Sequence, residues 1–414
     1  MQHAIRRKSE YWQLTVLWAG TMVILISLMG LVGVRFQLQY PDMFADWTIE
    51  QSLPEAQRYY IADPFLNPFV AFDSEYYLAI AINGYGNESV LTAPLPDGGE
   101  IPRDYGFLPL YPLLMRIIGV PLGILGMEPI PVYTLAGMAI SIISSLVACF
   151  ALYDLFVTTL GRRRALRSVF YLLTFPSAFI FVMVYTDSLT LALLLIILTL
   201  LRRRQLLFAA VLSALAVWLR LTSVILILPL AYVWWQSYGW RGSERRVTVS
   251  RESILAAVFV CLPIASYLLW RVTLGDEYAL VQGHLGRGGI DIVGSVRAWG
   301  AAVLSILGLI DIYSDAERLS LVLEVMMMGL GLLTSLLAFR YDRLVALFSI
   351  GLAVGLFFSG PPGSHVRYML AVPALFLMLA VWGRRLCFDR LWSLVSIVLL
   401  TLGAVLFTFN FFAI

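Results

Sequence analysis

The residues best placed to do chemistry lie in one stretch, Phe72-Asp73-Ser74-Glu75-Tyr76-Tyr77, which runs on to Asn83-Gly84-Tyr85-Gly86. It places two carboxylates and several aromatics in a chain that is otherwise mostly apolar. A carboxylate kept beside a lipid phase is costly unless it has work to do there. Asp73, if ionised near pH 7, is a candidate general base. The spacing predicts a short helix that begins at Asp73 and that Asn83-Gly84 stops. Asp73 is then equally placed to be that helix's N-cap, a role worth about 1 kcal/mol. Glu75 points elsewhere on the helix, toward orientation or headgroup contact. Tyr76, Tyr77 and Ile80 form a stripe that docks the helix on its surroundings.

Further polar groups follow. Arg103 and Asp104 precede Tyr105, Phe107, Tyr111 and the prolines Pro109 and Pro112, a composition suited to an interfacial segment. In that setting Tyr111 is either an interface anchor or a substrate contact. Asp187 joins two apolar runs, as a loop carboxylate or as the cap of the second. Arg220 and Arg367 both fall at the end of a span, beside Thr222 and near His365. Two guanidiniums there would hold a lipid phosphate bidentately, whereas the alternative is that they snorkel. Glu324 is expected to pair with Arg318 or Arg271. His365 stands alone in a Gly/Pro-rich loop and is not a metal ligand. Cys149, Cys261 and Cys387 lack metal-ligand spacing and read as buried small hydrophobes.

These groups must be positioned by membrane helices. Of 414 residues, 60% are hydrophobic and 13% charged, which excludes an ordinary soluble chain. The net charge of +3 carries little information about partners, and no basic patch interleaved with aromatics suggests nucleic acid. Apolar runs of spanning length recur, so the fold class is an all-α polytopic membrane protein. The spans are placed near 11–34, 130–160, 167–185, 187–201, 205–221, 222–239, 253–274, 319–338, 344–359, 367–383 and 391–413, about eleven in all. Nineteen of the 29 basic residues fall in six clusters, including Arg6-Arg7-Lys8, Arg162 to Arg167, Arg202 to Arg204 and Arg384 to Arg390. All clusters lie on one side only if 107–125 and 301–310 do not cross. That places the N-terminus in the cytoplasm. Residues 35–128 then form a large first extracytoplasmic loop with interfacial helices, and 275–318 a second, within one integral-membrane domain. The stretch 35–104 holds eleven acidic residues and three arginines, which suits the outer face.

Five motifs together carry a resemblance. Phe72-Asp73 with Tyr77, Ile80-Ala81 and Gly84-Tyr85 comes first. Phe107-Leu108-Pro109-Leu110-Tyr111-Pro112 follows, then Phe175-Pro176-Ser177-Ala178 with Phe181, then Tyr185-Thr186-Asp187-Ser188-Leu189. Leu219-Arg220-Leu221-Thr222-Ser223 is the fifth, and the later Arg367-Tyr368 also fits. In order and spacing the chain resembles the GPI second-mannose transferase family of the GT-C glycosyltransferase superfamily, over most of 60–380. It departs at Phe72, where the family has Trp, and at Asp187, where it has Glu. It is also shorter than the eukaryotic members, which points to a prokaryotic one.

The resemblance implies a GT-C bundle and an inverting transferase. The donor would be a polyprenyl-phosphate mannose or similar hexose, and the acceptor a lipid-linked or other glycan. Asp73 would be the catalytic residue. Arg220, Arg367, Tyr368, Asp187, Tyr111, Glu75, Arg103, Asp104 and His365 would contact donor phosphate or substrate, with no metal and no cofactor. The location would be the outer face of the plasma membrane, or the endoplasmic reticulum in a eukaryote. A flippase for lipid-linked sugars is the alternative from another class. It explains the helices and arginines but not the acidic outer loop.

Overall fold

The structure is a computed structural model, and it describes residues 2–39, 61, 63–86, 90, 92–95, 98–124, 126–239, 250–274, 277–284 and 291–409. The chain is an all-α polytopic membrane protein. Among the described residues, five helical segments are long and apolar enough to cross a membrane: Lys8–Arg35, Pro129–Leu160, Leu221–Tyr238, Glu317–Ala338 and Leu386–Thr408. Two bent pairs bring the number to seven if each is one span, against about eleven expected. Each lies close to a span expected from the sequence. Their outward faces carry large apolar side chains such as Ile24, Leu31, Leu394 and Val398. That pattern belongs to helices solvated by lipid rather than water.

Helix α1 (Gln2–Gln39) packs on α4 (Pro129–Leu160), helped by Trp18 Nε1 donating to Ser145 Oγ at 2.7 Å. Between them in sequence come α2 (Asp73–Asn83), a two-stranded antiparallel hairpin (Thr92–Pro94 with Glu100–Pro102) and α3 (Leu110–Gly123). After α4 come α5 (Arg162–Leu173), α6 (Asp187–Arg202), α7 (Leu206–Val217) and α8 (Ile227–Trp234). Next are α9 (Arg251–Val260) and α10 (Leu262–Leu274), bent by 48° at their junction, and then α11 (Glu277–His284). The second half continues with α12 (Ile292–Ile306), α13 (Asp315–Ala338) and α14 (Arg343–Phe357). It closes with α15 (His365–Tyr368), α16 (Pro373–Trp382) and α17 (Leu386–Thr408).

Several expectations need correction. The span at 167–185 is not one helix: α5 stops at Leu173, and a 3-10 turn over Ala178–Val182 carries the chain to α6. Pro176 accounts for the stop, because proline disfavours helix at the residue before it and offers no N–H. The span at 367–383 is likewise bent, by 83° at Pro373. Cys149 is buried, but Cys261 and Cys387 are exposed. Most of the basic segment 241–251, part of the expected first outer loop and part of 275–318 lie outside the described residues.

Ion pairs gather the basic helix ends at one end of the bundle. Arg162 Nε lies 2.7 Å from Glu10 at the start of α1, and Arg202 bonds both Asp342 and the Leu155 carbonyl. Arg167 faces Asp389 at the start of α17. Asp187 opens α6 and Arg202 closes it, so about 24 Å of helix separates that end from the other. The outer segments meet at the far end. Ala93 and Ile101 of the hairpin pack on Val281 of α11, and Tyr85 packs with Trp270 and Tyr278.

Close approach in the core depends on Gly137 of α4. A Cβ there would lie 2.7 Å from a Val184 methyl, and Val184 is itself fully buried. Gly137→Ala should therefore cost about 1–3 kcal/mol of stability, read as a lowered unfolding midpoint in detergent. Gly30→Ala, whose Cβ would meet nothing within 4 Å, should leave the midpoint unchanged or slightly raised. Equal midpoints for the two variants would contradict the packing described.

Candidate active site

The segment that presents Asp73 is fixed on both sides. Phe72, just before it, has φ +52° and ψ −112°, a conformation seldom adopted by a residue with a side chain. Neighbours hold it there. The Phe69 carbonyl accepts from Val184 N at 3.1 Å, and the Ala71 carbonyl accepts from the Tyr185 hydroxyl at 2.9 Å. The Phe72 ring packs edge-on against Phe407 of α17. The chain therefore turns sharply and enters α2 at Asp73. Gly84, with φ +89°, ends the helix as Asn83-Gly84 predicts. Arg116 of α3 donates to the Ala81 and Ile82 carbonyls at that end. A cation there satisfies otherwise unpaired carbonyls and offsets the helix dipole. This role for Arg116 is absent from the sequence reading.

The aromatic stripe docks α2. The Tyr76 ring stacks on Phe107 at 4.5 Å, and Tyr77 meets Phe107 and Tyr111 edge-on. The Tyr77 hydroxyl lies 3.4 Å from Thr186 Oγ1. Residues 69–72, 77 and 184–186 thus lock together, so Asp73 and Asp187 are positioned by the same contacts. Each carboxylate occupies the first position of a helix, where unpaired N–H groups favour negative charge. Phe72 holds the cap position, Asp73 is the first helical residue, and Asp73 Oδ2 accepts from Arg367 of α15.

The charges alternate across this end of the bundle. Arg367 Nη2 donates to Asp73 Oδ2 at 3.1 Å and to the Tyr368 hydroxyl at 3.2 Å. Arg367 Nε lies 3.7 Å from Asp187 Oδ1, which accepts from Arg220 Nη1 at 2.7 Å. The Tyr368 ring sits under both guanidiniums, 4.5 Å from Arg220 and 5.0 Å from Arg367. The order is Asp73, Arg367, Asp187, Arg220. Side-chain exposure along it is 17%, 3%, 3% and 18%. The two middle groups are sealed in, while the carboxylate at one end and the guanidinium at the other are accessible. Among the described residues, Arg367 Nε and Nη1 have no hydrogen-bond partner. A buried guanidinium with unused N–H groups can take further anionic oxygens.

Arg367 is set by a second polar group. Ser364, at φ +61°, turns the chain into α15, and the His365 N–H donates to Glu324 Oε2 at 2.8 Å. Gly363 N–H points at His365 Nδ1 from 3.1 Å, which places the ring proton on Nε2, facing the Leu356 carbonyl at 3.2 Å. Glu324 therefore pairs with His365, neither with Arg318 nor with Arg271, and Arg318 pairs with Asp311. Forty-one residues separate Glu324 from His365, so no local pattern reveals the contact. His365 is fully buried against Trp299 and supports α15 rather than offering a surface to substrate.

The remaining candidates are not at the accessible edge. The Tyr111 hydroxyl lies 2.9 Å from the Gly137 carbonyl and 3.0 Å from Ser141 Oγ, deep in the core. Arg103 Nε donates to the Thr92 carbonyl and ties the hairpin to the 3-10 turn Arg103–Gly106, in which Asp104 is buried. Glu75 is 0% exposed, and neither of its oxygens has a hydrogen-bond partner among the described residues. Burial raises its carboxyl well above the ordinary carboxylate range and so favours its protonated form.

Fold and site together define a polytopic membrane protein with a chain of charges sealed in its middle and accessible at the Asp73 and Arg220 ends. No family model and no curated protein matches the chain. Among solved structures, it is similar to the Archaeoglobus fulgidus oligosaccharyltransferase in the apo form. Identity there is 15%, over 92% of this chain and 56% of that one, with a TM-score of 0.46. It is also similar to the archaeal oligosaccharyltransferase AglB of the same organism, in complex with an inhibitory peptide and a dolichol-phosphate. In that case identity is 15%, over 94% and 55%, with a TM-score of 0.44. The chain thus spans about half the length of the structures it matches.

Two stability predictions follow from the charges. Asp187→Ala strands the buried Arg367 guanidinium, removes the ion-pair partner of Arg220 and should cost about 3–5 kcal/mol, whereas Asp73→Asn, at the accessible edge, should shift the unfolding midpoint far less. The opposite ranking would refute the order of burial. For Glu75 the protonated folded form is favoured, so its stabilising contribution is full below the usual carboxylate value of about 4.3 and declines as pH rises toward the raised folded value. Glu75→Gln should therefore gain stability relative to the parent at pH 8 but not at pH 4. A gain independent of pH would show that Glu75 is not held protonated.

Proposed function

We propose that this protein is an inverting glycosyltransferase of the GT-C type, and that it transfers a hexose from a polyprenyl-phosphate donor. The observation that carries this reading is Asp73, held by a buried arginine at the edge of the charge chain. The five-motif resemblance supports the same assignment and favours mannose. In the proposed reaction the acceptor hydroxyl gives its proton to Asp73 as its oxygen attacks the anomeric carbon. The bond from that carbon to the phosphate oxygen breaks on the opposite face, and the electron pair leaves with the lipid phosphate. A single carboxylate suffices for inversion, because this leaving group is already stable as an anion and needs no protonation. For the same reason the scheme calls for no resident metal or cofactor.

Arg220, at the accessible end of the chain, would face the phosphate, and the unused N–H groups of Arg367 would offset the charge gained on release. Tyr368 and Asp187 would hold the two guanidiniums apart and in place. The acceptor would be a lipid-linked or other glycan. The arginine-rich end of the bundle would face the cytoplasm, by the excess of positive charge there. Asp73 would then act at the outer face of the plasma membrane, within the loops 35–128 and 275–318.

The test incubates purified protein in proteoliposomes with labelled polyprenyl-phosphate mannose and host lipid extract, and identifies products by mass spectrometry. Asp73→Asn should lower transfer by about 10²–10⁴-fold with the unfolding midpoint little changed. Near-normal transfer by that variant would remove Asp73 as the base. Movement of the lipid-linked sugar across the bilayer with no new glycosidic bond would replace the transferase with a flippase.

A further inference from the structure

The arginine-rich end of the bundle holds a feature that sugar transfer at Asp73 does not use. A cavity of about 350 Å³ opens between α1, α5 and the first turn of α17. Leu14, Leu17, Leu166 and Phe170 wall it, and Gln13, Arg167 and Asp389 form its polar part. We infer that this cavity binds an acidic glycerophospholipid, with its phosphate at Arg167 and its first acyl methylenes along the leucines and Phe170.

The lining has the polarity gradient of a lipid. Both α1 and α5 run inward from the charged end. Along α1, Gln13 precedes Leu17 by about one turn, and along α5, Arg167 lies about 4.5 Å nearer the end than Phe170. Leu17 and Phe170 are therefore the deepest lining residues of the two helices, while Leu166 lies one residue outward of Arg167. A soluble anion would have no use for the deeper apolar wall.

Arg167 has an open fork. Its Nε lies 3.4 Å from Asp389 Oδ1, and Asp389 also accepts from the Tyr171 hydroxyl. Arg167 Nη1 and Nη2 make no hydrogen bond among the described residues, which leaves the two parallel donors that grip a phosphate. Arg163 lies one turn outward on the same face of α5, and Arg385 one turn outward of Asp389. Both are exposed, as are Lys8 and Arg384 nearby in the chain. Among the described residues Asp389 is the one acidic residue in the lining, engaged as described; beyond it Glu10 is engaged by Arg162 and Tyr153, and Asp154 accepts from the Tyr11 hydroxyl. The surplus of positive charge favours an acidic headgroup over phosphocholine.

The experiment titrates the purified full-length protein in detergent with dioleoylphosphatidylglycerol or dioleoylphosphatidylcholine, and counts bound lipid by native mass spectrometry. The parent should bind phosphatidylglycerol at least about fivefold more tightly than phosphatidylcholine. R167Q should erase that preference. D389N removes the competing carboxylate but keeps an acceptor for Tyr171, so it should bind phosphatidylglycerol more tightly than the parent. A misfolded variant cannot produce that gain. Equal binding of the two lipids by the parent, a preference retained in R167Q, or no gain in D389N would overturn the inference. Displacement of the lipid by millimolar inorganic phosphate would also overturn it, because the site would then read phosphate without the chain.

Discussion

Burial of the Arg367 guanidinium is the constraint on which this end of the bundle depends. A full charge cannot be taken out of water without partners. Here the partners come from three separate stretches of chain: Asp73 from α2, Asp187 from α6 and the Tyr368 hydroxyl from α15 itself. Satisfying one arginine thus forces three segments into register. The apolar contacts that surround it, from Tyr185 to Phe407, are non-directional and would tolerate small shifts; the guanidinium would not.

The same constraint explains the shape of the chain near Phe72. The positive φ there costs on the order of 1–3 kcal/mol and is held by bonds from Val184 and Tyr185, the residues that lead into Asp187. Strain at one carboxylate is thereby balanced by the segment carrying the other. The two aspartates are one device, built from two helix starts facing a common cation.

Much of this was legible in the sequence. Asp73 and Asn83-Gly84 mark the two ends of α2, and five of the roughly eleven expected apolar runs are single helices long and apolar enough to cross a membrane. Asp73, Asp187, Arg220, Arg367 and Tyr368 were all visible as candidates, and the structure brings them together. The pairings were not legible, because a charged residue does not encode its partner when 294 residues separate them, as with Asp73 and Arg367. Hydropathy also hid the break after Leu173, since the apolar run continues through a stretch that Pro176 prevents from being helical. The partners of Tyr111 and His365 were hidden for a related reason. Polar side chains near a motif suggest substrate contact, yet both spend their polar atoms on backbone carbonyls inside the bundle.

Position in the charge chain sets the two carboxylates apart, and under the proposed function it selects between them. Asp187 accepts from Arg220 at 2.7 Å and faces Arg367 as well, so two guanidiniums and near-complete burial commit it to structure. Removing a proton from an acceptor requires an oxygen that the acceptor can reach. Asp73 retains that access at 17% side-chain exposure, with Arg367 at a longer 3.1 Å. A partner at that distance fixes the carboxylate's position, which is what the proposed general base requires of its neighbours. Moving Arg367 closer would tighten the pair and compete with the acceptor for the same oxygen. Removing it would leave Asp73 without its orienting contact to α15. The chain of alternating charges thus divides two tasks between two aspartates, with the buried one holding the frame and the edge one left available for chemistry.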